Sequence, residues 1–132
     1  MEFALANNRD VLAAPAGSTL PDAVPHVTIH GVVDTGAARL VLPERAVASL
    51  KLEDAGETVV RYADQRTATR RRVSNVWLRL LGREGVFSAI LEPDRDTALI
   101  GAIVLEELDL VADCVTQTLH PRDPHHIVSE IE

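Results

Sequence analysis

The apolar residues of this chain come in short alternating runs broken by Asp, Gly and Pro. That pattern limits the fold to one rich in β-strands. In residues 24–33, Val27 and Ile29 face one way and Thr28 and His30 the other, the period-two spacing of a half-buried strand. The same reading predicts strands over 2–6, 38–42, 57–63, 67–81, 85–92 and 98–101. It also predicts a final hairpin over 109–113 and 116–120, and an edge strand over 127–131. Residues 8–22 are rich in Ala, Pro, Gly, Ser and Asp and read as a loop. Two short helices are predicted. One begins at Pro43, whose fixed φ suits a first turn, and carries Ala46, Val47 and Leu50 as its apolar face. The other spans 102–108, with Ile103, Val104 and Leu108 apolar and Glu106 and Glu107 exposed. Only four aromatic residues occur, Phe3, Tyr62, Trp77 and Phe87, so the core must be built from Val, Leu, Ile and Ala. Many of these are β-branched, which again favours sheet. The expectation is a mostly β single domain over 1–132, barrel or sandwich, with one or two short helices.

Thirteen basic and 20 acidic residues give a net charge of −7. A general nucleic-acid binder needs a net basic face, so that class is excluded. Cys114 is the single cysteine; it excludes an internal disulfide and points to a reducing, cytoplasmic setting. No apolar run approaches the roughly 20 residues that span a bilayer. The first residues, Met1 to Asn7, have an early acid and no basic stretch, which predicts no signal peptide. His26 and His30 share a strand face but lie about 13 Å apart. His125 and His126 have no cysteine nearby. No metal and no cofactor are therefore expected. Cys114 is expected to be a half-buried small residue with no paired histidine to make it a nucleophile. Arg70-Arg71-Arg72, the one basic run, reads as a solvated strand with Arg70 and Arg72 on one side and Arg71 on the other.

One segment carries chemistry. Two carboxylates sharing a proton can hydrolyse a peptide bond with ordinary water: one accepts the water's proton while the other polarises the carbonyl. Asp34-Thr35-Gly36 offers a carboxylate, a hydroxyl able to bond a partner loop, and a residue without a Cβ. By itself the triplet is no more than a turn whose Asp caps its own backbone. Its surroundings add to it. The stretch Val32-Val33-Asp34-Thr35-Gly36-Ala37-Ala38-Arg39-Leu40-Val41-Leu42-Pro43 is followed later by Leu99-Ile100-Gly101 and the helical Ala102-Ile103-Val104-Leu105. Between them lies a hairpin through Tyr62-Ala63-Asp64-Gln65-Arg66-Thr67. After them comes Leu108-Asp109-Leu110-Val111-Ala112-Asp113.

In that order, these segments resemble the retropepsin-like aspartic peptidases in their bacterial single-domain form, most strongly over residues 25–121. The resemblance implies a closed, barrel-like acid-protease domain. It implies Asp34, Thr35 and Gly36 as the catalytic triplet and a flap hairpin near 59–75. It implies Ala37, Ala63, Asp64, Gln65, Ile100 and Gly101 as substrate contacts. The flap tip lacks the glycines common in retroviral relatives. Substrate would bind extended, in pockets lined by Val, Leu and Ile that favour apolar side chains. Tyr62 is read either as reaching the cleft or as an ordinary strand aromatic.

The chain has one Asp-Thr-Gly; Asp54-Ala55-Gly56 lacks the hydroxyl and follows no apolar strand. One chain thus holds half a site, and a symmetric homodimer would complete it on the two-fold axis. The strand-like ends, 2–6 and 127–131, are candidates for the interface sheet. The expected activity is aspartic endopeptidase on a peptide or protein substrate. The alternative is a non-catalytic domain that keeps the fold and binds peptides or partners.

Overall fold

A computed structural model describes residues 1–123. The expected tail strand over 127–131, and His125 and His126, lie outside the described residues. In chain order the elements are β1 (Glu2–Asn7), α1 (Asn8–Ala13), β2 (His26–Val33), β3 (Leu40–Pro43), α2 (Glu44–Leu50) and β4 (Glu53–Arg61). There follow β5 (Thr67–Leu80), β6 (Arg83–Glu92), β7 (Ala98–Ile100), α3 (Ala102–Leu108), β8 (Leu110–Asp113) and β9 (Thr118–Pro121).

The strands pair in the order β1-β2-β7-β3-β6-β5, and β1 pairs back onto β5. Six strands therefore close into a barrel, the expected mostly β architecture. Closure leaves no open edge among them. The alternating faces fill the inside: Leu5, Ile29, Leu40, Leu42, Val73, Val76, Leu78, Leu80 and Ile100 are all buried. Each such side chain stabilises the fold by about 1.5–3 kcal/mol. Among the described residues strand β8 pairs only with β9, as the expected final hairpin.

Strand β5 is long enough to do two jobs. Its second half closes the barrel against β1, with Leu5 opposite Leu78. Its first half carries β4 beyond the barrel, with Val59 opposite Thr69. The change comes at Asn75, which has φ 62° and sits within a register shift of the β5–β6 pairing. Such a bulge bends a strand and raises its twist.

The segment read as a loop over 8–22 contains α1. Tertiary contacts explain it. Trp77 points out of the barrel and packs with Ala6 and Val24, and Val11, Ala14 and Leu20 cover that cluster. Asn7, fully buried, caps the helix by accepting the N–H of Arg9 at 3.0 Å. Its amide donates to the carbonyls of Leu50 and Lys51 at 3.3 and 3.1 Å, so one side chain serves the start of α1 and the end of α2. The expected faces of α2 hold: Ala46, Val47 and Leu50 are buried. On α3, Val104, Leu105 and Leu108 are buried and Ile103 is turned out.

Candidate active site

Strands β2 and β3 are consecutive in the chain, yet they do not pair. Strand β7 lies between them, with Val33 beside Ile100 in parallel and Val41 opposite Leu99 in antiparallel register. The connecting loop, residues 34–39, must therefore arch over the end of β7. Three backbone bonds fasten it. The N–H of Asp34 donates to the Ile100 carbonyl at 3.0 Å, Ala102 to Ala37 at 2.8 Å, and Ile103 to Ala38 at 2.9 Å. The last two N–H groups start α3 and have no partner within the helix, so the loop satisfies both ends of the contact. Gly101 makes this approach possible. A Cβ there would stand 2.5 Å from the Arg39 carbonyl oxygen and 2.7 Å from the Ala38 carbonyl carbon. At Gly36, by contrast, a Cβ would meet only Asp34 Oδ1, at 3.2 Å. Within one chain the demand for close approach falls on Gly101.

The Asp34 side chain is exposed, and its Oδ1 accepts the N–H of Gly36 at 2.9 Å. This turn does not by itself mark the residue. Asp54 holds the N–H of Gly56 at 2.8 Å, Asp64 that of Arg66 at 3.0 Å, and Asp113 that of Val115 at 2.9 Å. What separates Asp34 from these three is that it lines two cavities. One is a groove of about 810 Å³. The other, about 500 Å³, is lined by Thr35, Val33, Cys114 and Leu119 among others. Val33 packs against the core, whereas Val32 faces solvent at 46% exposure. Cys114 is exposed rather than half-buried, because it follows β8 in the tight turn leading to β9.

The β4–β5 hairpin forms a second wall of the groove. Its tip is a three-residue loop, Ala63-Asp64-Gln65. Tyr62 donates to the Arg66 carbonyl at 2.8 Å and Gln65 to the Tyr62 carbonyl at 2.9 Å. Gln65 takes the left-handed conformation, φ 72°, that this loop length requires. The N–H of Arg66, and then its guanidinium, hold the Asp64 carboxyl below its ordinary value.

A polar cluster ties this hairpin to the barrel. Tyr62 donates its hydroxyl to Glu92 Oε2 at 2.5 Å, and Arg70 donates Nε to Glu92 Oε1 at 3.0 Å. Glu92 ends β6 and is buried. The guanidinium groups of Arg66 and Arg70 lie 5.1 and 5.8 Å from the centre of the Tyr62 ring. The Glu92 hydrogen bond is the main reason the Tyr62 hydroxyl is pushed above its ordinary pKa. Arg71 pairs with Asp54 on the exposed side, so the alternation expected of Arg70-Arg71-Arg72 holds. Arg70 itself is not a freely solvated side chain, because Glu92 holds it.

The residues singled out from sequence are thus not all brought to one place. Asp34, Gly36, Ala37 and Ala63 line the groove, whereas Thr35 lines the second cavity. Asp64 and Gln65 sit at the hairpin tip and do not line the groove. Ile100 is buried and Gly101 lies under the loop, so both brace Asp34 from behind. Sequence reasoning missed Glu92, which looked like a strand end. It also missed that five arginines, Arg39, Arg61, Arg66, Arg70 and Arg95, line the groove. The apolar lining it expected is present in Val41, Ile90 and Leu99. Among the described residues no helix is long and apolar enough to cross a membrane.

A family model described as aspartyl protease matches residues 23–104, which is 82 of the 132 residues. No curated protein matches the chain. The matched span opens before β2 and ends inside α3, so it takes in the Asp34 loop, the hairpin, and the strand and glycine that brace the loop. On that match, over more than half its length, the chain belongs to the aspartyl protease family.

Proposed function

We propose that this protein is a retropepsin-like aspartic endopeptidase that works as a homodimer, with Asp34 from each copy meeting across a two-fold axis. The observation that carries the reading is the setting of Asp34. It is an exposed carboxylate on a loop braced by three backbone bonds, lining a groove walled by a hairpin. Among the described residues its side chain makes only the Gly36 bond, which leaves Oδ2 uncommitted. The Thr35 hydroxyl has no partner among them either, as a group that crosses to a second copy would require.

Two carboxylates in contact cannot both ionise, so the pair would hold one proton. The ionised Asp34 takes a proton from water, and the water oxygen attacks the scissile carbonyl carbon. The protonated Asp34 polarises that carbonyl oxygen. The C–N bond then breaks as the amine takes a proton from the pair. The hairpin over residues 59–75 serves as the flap, closing over an extended substrate to exclude water. Ala37 and Ala63 meet the substrate from opposite walls, with Asp64 and Gln65 arriving as the tip closes. Ile100 and Gly101 hold the loop in position. Val32 and Ile103, exposed on either side of the Asp34 loop, supply apolar surface to the dimer.

The test is digestion of a peptide library across acid to neutral pH by wild type and by Asp34→Asn, with and without a pepstatin-type inhibitor. Wild type should cleave and be inhibited. The variant should be inactive with a nearly unchanged melting temperature. Cleavage that persists in the variant contradicts the assignment. Binding of peptides without cleavage by wild type would favour the non-catalytic alternative.

A further inference from the structure

The groove beside Asp34 has the opposite charge character from the rest of the chain. Five arginines line it, Arg39, Arg61, Arg66, Arg70 and Arg95, against three carboxylates of which one is Asp34 itself. The chain as a whole carries −7. Not all five arginines are free. Arg70 is held by Glu92, Arg66 is paired with Asp64 at 2.9 Å, and Arg95 donates to the carbonyl and hydroxyl of Thr97. Arg39 and Arg61 have neither an ion pair nor a side-chain hydrogen bond among the described residues, and both are exposed. They come from different walls: Arg39 closes the Asp34 loop, and Arg61 ends β4 at the base of the hairpin tip.

An uncommitted guanidinium is a fork of donors shaped for a carboxylate. A cleft lined by one sign of charge also concentrates ligands of the other sign. We propose that this groove selects peptides carrying a glutamate or aspartate within a few residues of the scissile bond, with Arg39 and Arg61 receiving that carboxylate. The proposal deepens the peptidase reading and rests on it for the position of the scissile bond. Val41, Ile90 and Leu99 take the neighbouring apolar side chains of the same substrate. Nothing in composition points this way, since an acidic protein would be expected to repel acidic peptides.

The experiment compares three fluorogenic peptides with one apolar scissile pair and a single flanking Glu, Gln or Lys, moved through each flanking position in turn. At its best position the Glu peptide should exceed the Gln peptide in kcat/KM by about 5- to 10-fold, the size of one or two partly exposed charge pairs. The lead should shrink at high salt. Arg39→Gln with Arg61→Gln should bring the ratio to near one, and Arg61→Glu should turn the preference toward Lys. Melting curves establish that each variant is folded. The same peptides, fluorescein-labelled, are also titrated against the Asp34→Asn protein and followed by anisotropy. Glu-selective binding there, with no cleavage by wild type, would uphold the groove's selectivity while sinking the Asp34 chemistry. Equal handling of Glu and Gln peptides in both assays, binding of none of them, or a preference that survives the double variant would overturn the proposal.

Discussion

The backbone N–H of Asp34 donates to the carbonyl of Ile100 at 3.0 Å, joining the Asp34-Thr35-Gly36 loop to a strand that the chain reaches only after the whole hairpin. The bond explains why Leu99-Ile100-Gly101 belongs with Asp34-Thr35-Gly36 in the sequence. The later segment is the mount on which the earlier one rests. Gly101 adds the second half of the mount, because only a residue without a Cβ lets Ala38 and Arg39 cross above it.

Gly101→Ala should therefore damage both stability and activity. The added methyl meets backbone atoms that cannot rotate away, so the Asp34 loop must lift. Overpacking of this kind costs about 1–3 kcal/mol. A displacement of about 1 Å at the reacting group can lower turnover by about 100-fold. Thermal melting and kcat/KM on one peptide measure the two effects together. An unchanged kcat/KM would mean that the loop does not depend on this contact.

Tyr62→Phe should loosen the hairpin from the barrel. It removes one donor from Glu92, a buried carboxylate, and leaves the ring in place. Hydrogen bonds to charged groups contribute about 1.5–3 kcal/mol, so a fall in stability of that order is expected by denaturant titration. KM should rise more than kcat falls, because the hairpin wall is what the change disturbs. An unaltered stability would show that the Tyr62–Glu92 bond is replaced by water at no cost.

The Asp109 carboxylate predicts acid sensitivity. Burial alone would raise its pKa. Arg122 through hydrogen bond and charge, the N–H of Asp123 and the Arg83 guanidinium outweigh that and hold it below the ordinary value. A lowered folded-state pKa means stability that is complete above the unfolded value of about 4 and is lost as pH falls through the folded value. The melting temperature of wild type should decline on the acid side of that point. Asp109→Asn, which keeps a residue tolerant of the left-handed φ of 56°, should melt lower at neutral pH and lose less on acidification. Parallel acid profiles for the two proteins would remove Asp109 from the account.

Much of this was legible in the sequence, for identifiable reasons. Alternation located the barrel strands because each has one buried face. Helix α2 was legible from Pro43 and its Ala46-Val47-Leu50 stripe. Helix α1 was not, because its residues are held by Trp77 and Asn7 rather than by their own periodicity. The Asp34 segment was recognisable as a motif, but its mechanical dependence on Ile100 and Gly101 needed the topology in which β7 parts β2 from β3. Glu92 carried no local signal at all; its partners Arg70 and Tyr62 lie 22 and 30 residues away. For the same reason the arginine lining of the groove emerged only once the loop, the hairpin and the end of β6 were brought together.

The central claim is that two copies of Asp34 make one site, and a mixing series tests it most directly. Wild type and Asp34→Asn are unfolded together, refolded in varying proportion at fixed total protein, and assayed for peptide hydrolysis. If each site needs both carboxylates, activity will fall as the square of the wild-type fraction. A linear fall, each wild-type chain acting alone whatever its neighbour, would contradict the account.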